Sequence, residues 1–283
     1  MSDTTLRSRF VMAGHIKTHY VEAGANGPVV VLLHGGGPGS GGEAGFGRLI
    51  PYLAERYRVY APDGVGGFGE TDPSAPADQG TQSRVDQLEA FMDALCLDDA
   101  CVAGNSQGAW VAAKYAIQHP ERVRRLFLVA SLTIGGAMGL QTPITEGLKA
   151  LNSYDGTEAS MRRVMEALVF DKSVVTDELI RMRNEAANRP GAAEARKAAE
   201  AGQKRLTSEL RIKFDMRHTL PNLPIPTMFA WGENDTFAPP ELGRELQKLL
   251  PNIPFHFIPN AAHQAQTDQP EALARLMIQH FES

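Results

Sequence analysis

The amino-acid sequence predicts an α/β fold: a mostly parallel central sheet flanked by helices, with a helical insertion over one edge of that sheet. Three observations carry this. Short branched-aliphatic runs, with Val29 to Leu33 the clearest, alternate with stretches of helical length, the pattern of strands buried on both faces. The alternation stops near Ser131 and resumes near Pro226. The residues between are rich in Ala, Glu, Arg and Met and hold no strand-like run, so they read as helices laid over the carboxyl ends of the strands, the edge where open α/β sheets bind ligands.

Taken in order, residues 7–23 alternate apolar and polar side chains around Gly14 and predict an opening hairpin. The buried strand 29–33 runs into a glycine-rich loop and a helix over 46–57. Strand 58–61 ends at Pro62-Asp63, and helix 82–95, strand 100–103, helix 109–119 and strand 126–130 follow. Within the insertion, helical repeats are clearest over 157–168 and 176–188. Strand 227–231, helix 241–250, strand 255–258 and helix 271–281 complete the alternation, which demands right-handed crossovers. The chain therefore divides into a first core segment (1–133), a helical lid (134–214) and a second core segment (215–283).

A length of 283 residues suits one large sheet plus an insertion. The formal net charge of -5 comes from scattered acids and bases, with no basic stripe for a nucleic-acid backbone. Two cysteines, Cys96 and Cys101, and a polar N-terminus indicate neither a disulfide framework nor export, so the expected location is cytoplasmic. No apolar run is long enough to cross a bilayer. His15 and His19 lack the companions of a metal site and read as residues of a solvated hairpin; neither metal nor cofactor is expected.

The strongest chemical signal is Gly104-Asn105-Ser106-Gln107-Gly108, a G-x-S-x-G sequence between a buried strand and a helix. A serine on such a tight turn is lifted clear of the sheet, and side chains at the two glycines would collide with neighbouring backbone. The following helix supplies a positive end and the Gln107 N–H. A serine hydroxyl needs a base and a carboxylate to orient that base. Asp235, past strand 227–231, and His263, past the last strand, supply both, in the order Ser, Asp, His of the α/β-hydrolase fold. Glu233 competes with Asp235; only His263 among the histidines lies on the loop following the last strand.

The loop His34-Gly35-Gly36-Gly37-Pro38-Gly39-Ser40-Gly41-Gly42 offers a second oxyanion donor at the Gly36 N–H. Gly37-x-Gly39-x-x-Gly42 also satisfies a dinucleotide-binding pattern, with Asp63 suitably placed downstream, so an oxidoreductase is a competing reading. Pro38 interrupts that pattern, and it leaves Ser106, Asp235 and His263 unexplained. An ordinary carboxylesterase with the same three residues is the nearer alternative.

Over nearly its whole length the sequence closely resembles the meta-cleavage product hydrolases, the carbon-carbon bond hydrolases of bacterial biphenyl, dibenzofuran and related aromatic degradation. The loop at 34–42 and Arg183-Asn184-Glu185 in a lid helix carry the resemblance beyond the fold-wide elements. It implies hydrolysis of 2-hydroxy-6-oxo-hexa-2,4-dienoates, with the 6-phenyl class expected, a homo-oligomer, and a small aromatic dienoate as the partner. It also implies that Arg183 holds the substrate carboxylate, a task suited to a planar guanidinium. Asn105, Gly37 and Ser40 would assist at the dienoate end, and Phe214 and Phe237 would line the aromatic pocket. Three positions depart from the family pattern: Gly45 where relatives often have asparagine, Gln264 where many have tryptophan, and Gln107 for the usual methionine.

Overall fold

In the computed structural model, which describes residues 4–283, eight strands form one sheet. They are β1 (Arg7–Ala13), β2 (Ile16–Ala23), β3 (Val29–Leu33), β4 (Arg58–Pro62), β5 (Ala100–Asn105), β6 (Val123–Val129), β7 (Thr227–Gly232) and β8 (Phe255–Ile258). The sheet order is β1-β2-β4-β3-β5-β6-β7-β8. β1 and β2 pair antiparallel, as does β2 with β4, and every pair from β4 to β8 is parallel. Gly14 turns the opening hairpin with φ of 59°, a conformation costly for a residue with a Cβ.

Burial follows the sequence pattern. β3 and β5 are buried at every position, because helices cover both faces of the sheet there. β1, at the edge, keeps Phe10 and Met12 exposed. The expected helix over 46–57 is instead two short helices, Gly42–Phe46 and Ile50–Ala54, with the chain bending where Leu49 N–H bonds Phe46 O.

Between β6 and β7 the described chain is helical or irregular and contains no strand. Helix Glu158–Leu168 is capped by the Thr157 side chain and helix Asp177–Ala187 by Thr176, each cap contributing about 1 kcal/mol. Their inner faces bury Met161, Val164, Met165, Leu168 and Ile180 against Phe237, forming a second apolar cluster separate from the main core. The longest helix of this stretch, Ala192–Thr207, buries only small residues and Leu206 along its inner face. No described helix is long and apolar enough to cross a membrane.

Candidate active site

Ser106 sits between β5 and helix Gln107–Gln118 with φ of 58°, one of four non-glycine residues described with positive φ. The two glycines of its motif are required by contact. A Cβ on Gly104 would lie 2.2 Å from Gly108 O, and one on Gly108 would lie 2.0 Å from Leu33 O. The sharp turn is held by Ser106 N–H bonds to Val129 O and Ala130 O, and by Ser131 Oγ donating to Ser106 O at 2.7 Å. Ser131, which also caps helix Leu132–Ala137, was not legible as a site residue, because only the parallel pairing of β5 with β6 brings it beside the turn. Gln107 is the first residue of its helix, where an N–H has no acceptor within the helix.

His263 and Asp235 arrive on the loops after β8 and β7. His263 Nδ1 lies 2.9 Å from Asp235 Oδ2, and the other carboxylate oxygen accepts the N–H groups of Phe237 and Ala238 at 2.8 and 2.7 Å. The carboxylate is thereby fixed and dry, while its rival Glu233 is exposed. Phe237 stacks on the imidazole with ring centroids 4.4 Å apart. The remaining ring nitrogen, His263 Nε2, is buried without a hydrogen-bond partner.

Ser106 and His263 line one small cavity of about 20 Å³. Gly36, Ser40, Asn105, Arg183 and Phe237 share it, as do the departing residues Gly45 and Gln264. Asn105 Nδ2 donates to His263 O at 3.0 Å, tying the serine turn to the histidine loop. Gly37 lies outside the cavity and lines a neighbouring groove. Phe214 is absent from the lining too: it stacks on Trp110 at 5.7 Å in the main core, and its carbonyl accepts the Trp110 N–H.

Arg183 is 1% exposed. Its Nη2 donates to Pro38 O and Ser40 Oγ at 3.0 Å each, Nε has no partner, and no carboxylate pairs with it among the described residues. Burial lowers its pKa to about 10, which leaves it charged at neutral pH. A buried guanidinium without an anion is costly, and this one lines the same cavity as Ser106.

The dinucleotide reading fails on geometry. Asp63, its ribose anchor, is consumed: it accepts Gly42 and Glu70 N–H groups at 2.6 and 2.7 Å and lies 2.6 Å from His19 Nδ1. Gly39 packs against the backbone of Arg183, where a Cβ would lie 1.9 Å from the carbonyl oxygen. His34 is a structural member of the loop, accepting Gly64 N–H at Nε2; burial and then the Arg84 charge push its pKa down to about 3, so it is neutral. The solvated-hairpin expectation holds for His15, which is exposed, and fails for His19, which is buried because Asp63 reaches it across the sheet. No group of three or more metal-ligating side chains occurs among the described residues.

Residues 28–270 match the α/β hydrolase fold family. A 2-hydroxy-6-oxo-2,4-heptadienoate hydrolase of Pseudomonas putida is 35% identical over 274 residues, 95% of this chain and 94% of the relative. This chain belongs to the meta-cleavage product hydrolases of the α/β-hydrolase family. A 2-hydroxy-6-oxo-6-phenylhexa-2,4-dienoate hydrolase of Burkholderia cepacia is 30% identical, covering 93% of this chain and 91% of that one. Among solved structures, a meta-cleavage product hydrolase of Pseudomonas fluorescens superposes with a TM-score of 0.80 at 30% identity, over 97% of both chains.

Proposed function

We propose that this hydrolase cleaves the C5–C6 bond of a 2-hydroxy-6-oxo-hexa-2,4-dienoate, with Ser106 as nucleophile, His263 as proton carrier, Asp235 as its orienter and Arg183 as the carboxylate anchor. The observation that carries this reading is the buried, anion-free Arg183 lining the same small cavity as Ser106 and the unpartnered His263 Nε2. An enzyme for uncharged esters has no use for that charge. Leu151, Leu168 and Phe237 give the cavity an apolar side, which supports an uncharged group at C6 such as phenyl.

Breaking a carbon-carbon bond by acyl transfer requires a stabilised carbanion. The dienol therefore first becomes a ketone: the 2-hydroxyl loses its proton and C5 gains one, with His263 moving protons at the serine side. Ser106 Oγ then bonds to C6 while its proton passes to His263, and the C6 oxyanion is held by the Gly36 and Gln107 N–H groups. As C5–C6 breaks, the electron pair is delocalised onto the C2 oxygen, and protonation releases 2-hydroxypenta-2,4-dienoate. Water deprotonated by His263 finally cleaves the acyl-serine ester to give the carboxylic acid, benzoate for a 6-phenyl substrate.

The test is to mix the purified protein with 2-hydroxy-6-oxo-6-phenylhexa-2,4-dienoate. Its yellow absorbance is expected to fade with benzoate appearing in equal amount. Hydrolysis of phenyl acetate with no turnover of either the 6-phenyl or the 6-methyl dienoate would instead assign an ordinary carboxylesterase.

A further inference from the structure

Two grooves far larger than the catalytic cavity flank it beneath the lid, and they differ in charge. One, of about 670 Å³, runs under helix Ala192–Thr207 and is lined by Arg84, Arg196, Lys197 and Lys204 against a single acid, Glu200. Arg84 is buried, donates to His34 O at 2.6 Å and is attracted by the Asp63 carboxylate without pairing with it directly. The other, of about 490 Å³, runs along helix Asp177–Ala187 and is lined by Glu43, Glu70, Glu178 and Glu185 against Arg181 and Arg189, beside the mutually paired His19 and Asp63. In a chain of net charge -5, the basic groove is the exception.

The walls between grooves and cavity also differ. On the basic side the partition is made of side chains: Gln107 lies over Gly36, its Oε1 2.4 Å from where a Cβ would be, and a Leu151 methyl lies 3.0 Å from the same point on Gly37. Leu151 lines both spaces, and Gln107 lines the groove against Gly36 of the cavity. On the acidic side the partition is the backbone seam of Gly39 against Arg183, with Gly41 pressed on the pinned Asp63 carboxylate. Gly41 lines both this groove and the cavity, and its backbone is held against the Asp63 carboxylate.

We propose that the basic groove is the route by which an anionic substrate reaches Ser106, with Lys197 and Lys204 collecting it and Gln107 and Leu151 forming the gate. This rests on the dienoate reading above. A cleft of one sign raises the association rate of an opposite charge, and salt suppresses the gain. Arg183, beyond the gate, then receives the carboxylate.

The experiment measures binding of the 6-phenyl dienoate to the Ser106→Ala protein by stopped-flow absorbance, at low and high salt. The exposed pair Lys197→Glu/Lys204→Glu is expected to lower the association rate constant at low salt roughly tenfold and to flatten its salt dependence. Arg181→Glu, on the acidic groove, is expected to leave the rate constant within twofold. An unchanged rate in the double variant, or an equal loss in Arg181→Glu, overturns the route while leaving the dienoate reading intact. Absence of dienoate turnover by the wild-type protein overturns both.

Discussion

Ser106, His263 and Asp235 have a counterpart across the sheet in Ser8, His19 and Asp63. Ser8 Oγ lies 2.9 Å from His19 Nε2, and His19 Nδ1 lies 2.6 Å from Asp63 Oδ2. Both carboxylates are buried and each accepts two backbone N–H groups. The difference lies at the serine. Ser8 stands exposed on an edge strand, within β1 and not at a strand-to-helix turn. Ser106 stands at positive φ on a helix N-terminus, beside glycines and a cavity, with a histidine nitrogen still unpartnered. Both regions thus share a serine, a histidine and a carboxylate, and the backbone turn and the cavity are what set Ser106 apart.

Four measurements can break or sharpen that comparison. The largest expected effect is Ser106→Ala, which should lower kcat for the dienoate by at least about 10⁴-fold; a variant retaining a tenth of the parent rate would remove Ser106 from the chemistry. Next, Arg183→Gln should reduce kcat/KM for the dienoate by roughly 10²- to 10³-fold, about 3–4 kcal/mol, while phenyl acetate hydrolysis falls far less. Equal losses on both substrates would mean that Arg183 supports the lid and does not bind the carboxylate.

The third effect is on stability. His19→Gln breaks a buried pair and should cost roughly 3 kcal/mol, read as a drop in Tm with kcat little changed. Burial alone would lower the His19 pKa, but the hydrogen bond and charge of Asp63 outweigh it and raise it above 6.5. Burial likewise opposes ionisation of Asp63, and the contacts with His19 overcome it to hold the carboxyl below 3.8. The histidine contribution is complete below pH 6.5 and fades as pH rises through the raised value. The aspartate contribution is complete above pH 3.8 and fades as pH falls through the depressed one. The Tm gap between variant and parent should thus be widest between these limits and narrow on the alkaline side; a pH-independent gap would show that the pair is not charged. The smallest effect is Ser8→Ala, expected to change stability by less than about 0.5 kcal/mol and kcat by less than twofold.

The resemblance and the motif spacing also set limits that the fold makes plain. Phe237 lies beside the cavity and on the His263 ring, whereas Phe214 turns to Trp110, a choice made by packing between helices distant in sequence. The bend between residues 46 and 50 escaped the helical pattern, since its apolar residues continue through it. His19 alternates in a strand like any polar hairpin residue, and nothing local announces Asp63, 44 residues on.

The sequence by itself determined the strand and helix alternation, the serine turn, and the order of Ser106, Asp235 and His263, because each rests on local periodicity or on glycines that the neighbouring backbone requires. Tertiary structure alone decided that Arg183 is left without an anion beside Ser106, that His19 is clamped and His263 free, and that one groove is basic and the other acidic. Those outcomes depend on which distant side chains share a low-dielectric space, and no periodicity along a chain records that.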